Sequence, residues 1–222
     1  MQSVIQLEQE VRYFCESLQT AQKFVSPYSH FFLRDVFSKE LLQELGALDF
    51  ALPDLKGISG KREYHNDQRH YFSQENRLKN DAINLVSEVF RHPQVLNKIR
   101  ASTGARLDGT FVRIEYAQDT DGFWLNPHTD LGVKTLTLII SILDGQDELG
   151  TDIYSSETEH FGTCPFQNGA AFLFVPSDHT WHGFEARPIK GVRKSLIMNY
   201  VTSDWIARDQ LSFSEPIRIN RN

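Results

Sequence analysis

Three residues in two short segments carry side chains suited to binding a transition metal. His128 and Asp130 stand two apart in residues 125–131. In an extended segment, residues i and i+2 project from the same face, so this imidazole and this carboxylate can converge on one point. His182 lies far along the chain, between Trp181 and Gly183, and must come from another element. Two imidazoles and one carboxylate on one side of a metal suit non-haem Fe(II) and oxygen chemistry.

A His-x-Asp pair alone also occurs in surface turns, where the two side chains simply bond to each other. Four surrounding features favour the metal site. Pro127 biases the preceding residue to an extended conformation. A β-type run follows at 135–142, His182 precedes another strand-like segment, and Arg193 begins the final apolar strand.

The order His-x-Asp, a long gap, His, then Arg-x-Ser resembles the Fe(II)/2-oxoglutarate-dependent dioxygenases, in particular their prolyl-4-hydroxylase-like branch. The resemblance covers residues 107–201 and implies that His128, Asp130 and His182 are the catalytic iron ligands. His182 is preferred to His179 because it stands where the family carries its distal histidine, whereas His179 follows a turn-like stretch. Relatives that halogenate have a small residue in place of the carboxylate, so Asp130 implies hydroxylation or a related oxidation.

The same resemblance implies a binding site for the cosubstrate 2-oxoglutarate. Arg193 would hold its distal carboxylate through two parallel hydrogen bonds, with Ser195 beside it. Lys190 and Lys194 are the competing cations. Strand alternation predicts two faces for the last strand, with Arg193, Ser195, Ile197 and Asn199 on one and Lys194, Leu196 and Met198 on the other.

Several neighbours are weaker candidates for the same interior. Tyr116 matches a tyrosine that often lines the cosubstrate pocket, although a packed core aromatic is an equal alternative. Thr137 and Asn199 are further candidates for that pocket. Trp124 and Trp181 flank the predicted ligands and could line the substrate cavity or belong to the core.

Composition limits the classes of protein to consider. The 222 residues suit one domain, 1–222, and the formal net charge of −6 argues against a broad nucleic-acid-binding surface. Only two cysteines are present, Cys15 and Cys164, which indicates thiols in a reducing compartment. We see neither a signal peptide nor an apolar run long enough for a membrane span, and we expect a cytoplasmic protein.

Residues 1–106 are predicted to be a helical support with a possible lid. Apolar residues at helical spacing run from Val4 to Leu18, a second helix starts at the N-cap residue Ser38, and a third covers 81–90. Pro93 interrupts that pattern, and Gly104 closes a short following helix. The polar stretch 56–79 is predicted to be either a solvated connection or a substrate-binding lid. Its histidines, His65 and His70, are expected to form surface hydrogen bonds rather than bind metal.

From residue 107 the pattern changes to short strands separated by turns. Residues 111–116 alternate, and further strands are predicted at 135–143, 151–154, 170–175, 182–186 and 193–201. This pattern indicates a sandwich or barrel. With the resemblance it gives a mainly β fold with α, a double-stranded β-helix (jelly roll, cupin-like) at 107–201 buttressed by N-terminal helices. The polar stretch 204–222 is expected to trail along the outside.

The expected activity is an oxidation that uses Fe(II), 2-oxoglutarate and O2. It would hydroxylate an unactivated C–H of a small-molecule or peptide-like substrate and release succinate and CO2. Two alternatives stay open. One is a cupin-type metal-binding or isomerase protein, which would not need an arginine on the last strand. The other is a protein-modifying, prolyl-type hydroxylase.

Overall fold

Two antiparallel sheets and five helices make up the computed structural model of the chain, which describes residues 2–53, 60, 69–130, 132–142 and 147–219. The helices are α1 (Gln2–Gln19), α2 (Lys39–Gly46), α3 (Gln74–Lys79), α4 (Asp81–Arg91) and α5 (Pro93–Thr103). The strands are β1 (Gln22–Phe24), β2 (His30–Leu33), β3 (His70–Tyr71), β4 (Phe111–Thr120), β5 (Leu125–His128), β6 (Lys134–Ile142), β7 (Asp152–Tyr154), β8 (His160–Thr163), β9 (Ala171–Phe174), β10 (His182–Phe184) and β11 (Val192–Val201).

The strands divide into a major and a minor sheet. The major sheet has the order β1-β2-β9-β6-β11-β4-β3, and the minor sheet has the order β5-β10-β7-β8. Neighbouring strands run antiparallel throughout the described residues. This is the predicted jelly-roll core, to which the chain adds β1, β2 and β3 from the N-terminal half.

The helix boundaries follow local capping chemistry. Ser38 accepts a hydrogen bond from the amide of Leu41, and Asn80 accepts one from the amide of Ile83. Such side chains satisfy amides that have no partner inside the helix. Gly104 ends α5 in the left-handed conformation at φ 75°, which glycine adopts without a Cβ penalty. The helices predicted to start at Ser38, to cover 81–90 and to end at Gly104 are all confirmed.

The helices pack on the outer face of the major sheet. The main core joins α1, α2, α4 and α5 to residues such as Leu138, Leu196 and Met198. A smaller apolar cluster fills the space between the two sheets and includes Ile139, Ile153 and Ile197. The predicted division of β11 into two faces is therefore confirmed, and the face that carries Arg193 and Ser195 looks into the jelly roll.

The C-terminal stretch does not trail along the outside as expected. Leu211, Phe213 and Ile217 are buried. The amides of Ser212 and Ile217 donate to carbonyls at the start of β4 and just before it, which holds this stretch against β4. The stretch is polar overall, so its composition did not predict that these three apolar residues are buried. Burial of such side chains stabilises folding by about 1.5–3 kcal/mol each.

The stretch predicted to be a connection or lid, 56–79, lies partly outside the described residues, and so does His65. Its described end forms the short strand β3 and the helix α3, and composition did not predict the helix. His70 bonds to the carbonyl of Ala51 at 3.1 Å and stacks on Phe50, as expected for a histidine that binds no metal.

Within the described part of the chain, no helix is both long enough and apolar enough to cross a bilayer.

Candidate metal and cosubstrate site

The two predicted histidine ligands lie opposite each other on neighbouring strands. His128 ends β5, His182 begins β10, and the two residues are direct cross-strand partners. Their ring centroids are 4.4 Å apart. Gly183 permits this close pairing, because a Cβ there would lie 2.8 Å from the carbonyl oxygen of Leu125. Strand pairing therefore brings together two residues that are far apart in sequence.

Both imidazoles are oriented by the same local contact. Nδ1 of His128 lies 2.8 Å from the carbonyl oxygen of Asn126, and Nδ1 of His182 lies 2.9 Å from that of Thr180. A carbonyl accepts only, so we assign the ring proton to Nδ1 in each case. The lone pair is then on Nε2, the form in which neutral histidine binds a metal.

Asp130 completes the group from just beyond β5. Its carboxylate accepts hydrogen bonds from the ammonium of Lys134 and from the hydroxyl of Thr137, the latter at 2.5 Å. Burial raises the pKa of Asp130, but the attraction of the Lys134 ammonium and the hydrogen bonds from Lys134 and Thr137 outweigh it. The net pKa lies well below the usual range, so the group is an anionic ligand at neutral pH.

The three side chains converge on one point. One ligand atom from each of His128, Asp130 and His182 lies within 4.8 Å of the other two. Two imidazoles and one ionised carboxylate match the donor set that non-haem Fe(II) prefers. The residues present thus fit the metal that the sequence implies.

The competing histidine, His179, lies elsewhere. It is on an exposed turn, with 83% of its side chain accessible, and its imidazole lies 3.3 Å from Asp178. It does not belong to the group of potential ligands.

Arg193 is buried inside the jelly roll, whereas the competing lysines are not. Its Nε donates to the carbonyl of Leu149 at 2.6 Å, and a terminal nitrogen donates to Asp119 at 2.5 Å. Lys194 faces the helices and donates to the carbonyl of Gly46, while Lys190 is exposed. Of the three cations, Arg193 alone shares the interior with the histidines.

Ser195 lies on the same face as Arg193, and its hydroxyl is buried with no hydrogen-bond partner among the described residues. A buried hydroxyl without a partner is costly, and that of Ser195 is available to bond a ligand. Ser195 lines a cavity together with Arg193, His182 and Thr151. The cavity is narrow, about 20 Å³, so a dicarboxylate can enter only if these side chains move apart.

Tyr116 does not line this cavity, so that prediction is wrong. Its hydroxyl donates to the carbonyl of Leu45 in the helical layer, and its ring belongs to the main core. Tyr116 pairs with Leu196, on the opposite face of the sheet from Arg193. Because strand side chains alternate, the β4 residues that face the interior are its odd-numbered ones, including Ala117 and Asp119.

Thr137 and Asn199 lie beside the metal ligands rather than the arginine. Asn199 donates to the hydroxyl of Thr137 at 3.0 Å, and Thr137 donates to Asp130. Arg113 donates to the side-chain oxygen of Asn199 at 3.1 Å and to Glu115 at 2.9 Å. A continuous series of side-chain hydrogen bonds therefore holds the carboxylate of Asp130.

The two tryptophans that flank the ligands are half-buried. The carbonyl of Trp181 accepts hydrogen bonds from the hydroxyl of Tyr28 and from the amide of Tyr154. Trp124 covers Gly60, where a Cβ would lie 2.2 Å from its ring. The ring of Trp124 therefore has a packing role, whereas the contacts of Trp181 involve its backbone.

Sequence reasoning missed three residues close to the site. Lys134 and Tyr28 bear no recognisable motif, and Tyr28 comes from the N-terminal half, between β1 and β2. Asp119 could have been found, because it continues the alternation that places Arg113 and Glu115 on one face of β4. That alternation does not show which residue of β11 lies opposite.

No family model matches the sequence, and no curated protein does. Solved structures do match the fold. A prolyl hydroxylase from Trichoplax adhaerens, in complex with a peptide fragment of the hypoxia inducible factor oxygen degradation domain, superposes with a TM-score of 0.58 at 12% identity. The match covers 90% of this chain and 93% of that one.

Two further structures agree. A prolyl-4-hydroxylase from Pseudomonas putida matches with a TM-score of 0.54 at 14% identity, over 87% of this chain and 93% of that one. The non-heme alpha ketoglutarate dependent epimerase SnoN from nogalamycin biosynthesis matches with a TM-score of 0.53 at 12% identity, over 95% and 93%. At these identities the likeness concerns the fold alone: the chain has a jelly-roll fold similar to the folds of these two prolyl hydroxylases and of the epimerase.

Proposed function

We propose that this protein is an Fe(II)- and 2-oxoglutarate-dependent oxygenase that hydroxylates an unactivated C–H bond. The observation that carries the proposal is the convergence of His128, Asp130 and His182 within 4.8 Å, in the same interior as a buried arginine. Neither the three potential ligands nor the buried arginine would carry the proposal alone. Together they match what a metal-chelating dicarboxylate requires.

In this proposal His128, Asp130 and His182 hold the iron, and the remaining coordination positions stay open. Iron with 2-oxoglutarate and O2 would supply C–H oxidation, with succinate and CO2 as the other products. The chain's own part is orientation. The carbonyls of Asn126 and Thr180 fix the two imidazoles, and the hydroxyl of Thr137 fixes the carboxylate.

Arg193 and Ser195 form the proposed site for the distal carboxylate of the cosubstrate. The guanidinium offers charge and directed N–H groups, and the serine offers a hydroxyl that lacks a partner. Ile139 and Ile197 line the same cavity as Arg193, Ser195 and His182. Their apolar side chains would exclude water from the space between the metal and the proposed carboxylate site at Arg193 and Ser195.

The proposed substrate is a small molecule or a peptide-like chain. The Trichoplax adhaerens structure supports a peptide-like substrate, because that hydroxylase is in complex with a peptide. A cupin-type isomerase or metal-binding protein is the alternative. The buried Arg193 argues against it, because such a protein has no need of a cation in its interior.

Purified protein supplied with Fe(II), 2-oxoglutarate and O2 should release succinate slowly even without its substrate. We expect His182→Ala to abolish this release and to weaken Co(II) binding, measured by absorption titration, by at least a hundredfold. The matched control is His179→Ala, three residues away and exposed, which should leave both unchanged.

Equal loss in the two variants, or Co(II) binding that survives His182→Ala, would contradict the proposal. With active protein in hand, mass spectrometry of proline-containing peptides and of small amino-acid derivatives identifies the substrate class by the gain of one oxygen atom.

A further inference from the structure

The arginine proposed to hold the cosubstrate already has a carboxylate partner. Arg193 and Asp119 are direct cross-strand partners on β11 and β4. A guanidinium nitrogen and a carboxylate oxygen lie 2.5 Å apart, and the two side chains are only 7% and 6% exposed. The pair is therefore a buried, hydrogen-bonded ion pair rather than a surface contact.

Both partners line the cavity that extends to His182. Nε of Arg193 is directed to the carbonyl of Leu149, and a terminal nitrogen lies 3.5 Å from the hydroxyl of Thr151. A carboxylate that binds this guanidinium must share it with Asp119. Since the cavity is narrow, the ligand can enter only by loosening the contacts that now hold Arg193.

The charge balance has a direct consequence for affinity. A lone buried arginine attracts a dianionic ligand with its full charge, whereas the Arg193–Asp119 pair has no net charge. A second carboxylate at the same guanidinium also lies within a few ångström of the first, and repulsion at that range is substantial where water is excluded.

Building on the proposed function, we infer that Asp119 sets the affinity for the cosubstrate by competing with its distal carboxylate for Arg193. Asp119 is thus a specificity-determining residue. It lowers the contribution of the distal carboxylate to binding and makes occupancy of the site depend on the cosubstrate concentration. A purely positioning role makes the opposite prediction, because loss of the charge would then loosen Arg193 and weaken binding.

The test is the variant Asp119→Asn, which keeps an oxygen to accept from Arg193 and removes the negative charge. The full-length protein loaded with Zn(II), which does not turn over, is titrated by calorimetry with two ligands. One is 2-oxoglutarate; the other is 2-oxopentanoate, which has the same chain length and a methyl group in place of the distal carboxylate. We expect Asp119→Asn to bind 2-oxoglutarate roughly tenfold more tightly and 2-oxopentanoate as before.

Asp121→Asn is the matched control. Asp121 is two residues further along and exposed, and its carboxylate accepts from the amide of Ile189 rather than from Arg193. Both affinities should stay unchanged in this variant.

A second measurement uses the unaltered protein and does not depend on how the variant folds. A fully available buried guanidinium should favour the dicarboxylate over the monocarboxylate by roughly thirtyfold or more. With Asp119 in competition, we expect a smaller ratio.

The inference is wrong if the unaltered protein prefers 2-oxoglutarate to 2-oxopentanoate by more than about thirtyfold. It is also wrong if Asp119→Asn binds 2-oxoglutarate no more tightly than the unaltered protein does. Either result leaves the proposed function standing. If the Zn(II)-loaded protein binds neither ligand, the proposed function itself fails.

Discussion

The two faces of the major sheet use polar side chains in different ways, although the same strands supply both. On the outer face, the polar groups of Tyr116, Lys194 and Tyr200 each donate to a backbone carbonyl in the helical layer, those of Leu45, Gly46 and Phe90. These carbonyls lie in the last turns of α2 and α4, beyond the reach of amides within the helix, and that of Leu45 also accepts from the amide of Leu48. The outer polar groups therefore complete the helices.

On the inner face, polar side chains bond mainly to one another and to carboxylates. Thr137 donates to Asp130, Asn199 donates to Thr137, and Arg193 donates to Asp119. Such groups hold charge inside the protein, which costs free energy unless a ligand or an ion pair repays it. A buried polar side chain therefore does not indicate a functional site by itself. The group to which it is hydrogen-bonded distinguishes the inner face from the outer one.

The sharpest test of the comparison replaces neighbouring cations on opposite faces of β11. Arg193→Gln should raise the 2-oxoglutarate concentration needed for succinate release by about thirtyfold or more. Removing one partner of a buried charge pair costs about 2–5 kcal/mol, and the Asp119 carboxylate left behind repels the distal carboxylate of the ligand. Lys194→Gln should leave that requirement unchanged and lower only the melting temperature.

Since Arg193→Gln leaves Asp119 buried without its partner, the same change is also made together with Asp119→Asn. The proposed difference between the two faces is wrong if Lys194→Gln, rather than Arg193→Gln, alters the 2-oxoglutarate requirement in protein that is still folded.

A smaller effect is expected from the hydroxyl that holds the metal-binding carboxylate. Thr137→Val removes the donor to Asp130 and keeps the shape of the side chain, so Co(II) affinity should fall roughly tenfold to a hundredfold. Thr137→Ser should restore most of it.

The control is Thr135→Val on the same strand. Its hydroxyl donates to the carbonyl of Tyr200 and does not contact Asp130. Equal Co(II) affinities in Thr137→Val and Thr135→Val would show that the hydrogen bond does not position the ligand.

The smallest effect should come from Tyr116→Phe on the outer face. Loss of its hydroxyl leaves the carbonyl of Leu45 without that donor and should lower the free energy of unfolding by about 1 kcal/mol, measured by urea denaturation. Calorimetric binding of 2-oxoglutarate should not change. If the variant has normal stability but binds 2-oxoglutarate more weakly, Tyr116 contributes to the cosubstrate pocket as the sequence predicted.

Much of the fold could be read from local patterns. Alternation separated the two faces of β11, helical spacing and caps located α2, α4 and α5, and turn residues divided the strands of the core. The short strands β1, β2 and β8 were missed, because three or four residues carry little periodicity and pairing with neighbours stabilises them.

The sequence by itself determined which side chains could bind a metal and which face of the last strand carries the arginine, since both follow from residue type and from the spacing of near neighbours. Only the tertiary structure decided that β4 meets β11 with Asp119 opposite Arg193 and with Tyr116 turned to the helices. Register between strands depends on contacts between residues far apart in the chain, and a shift of one residue exchanges the two faces.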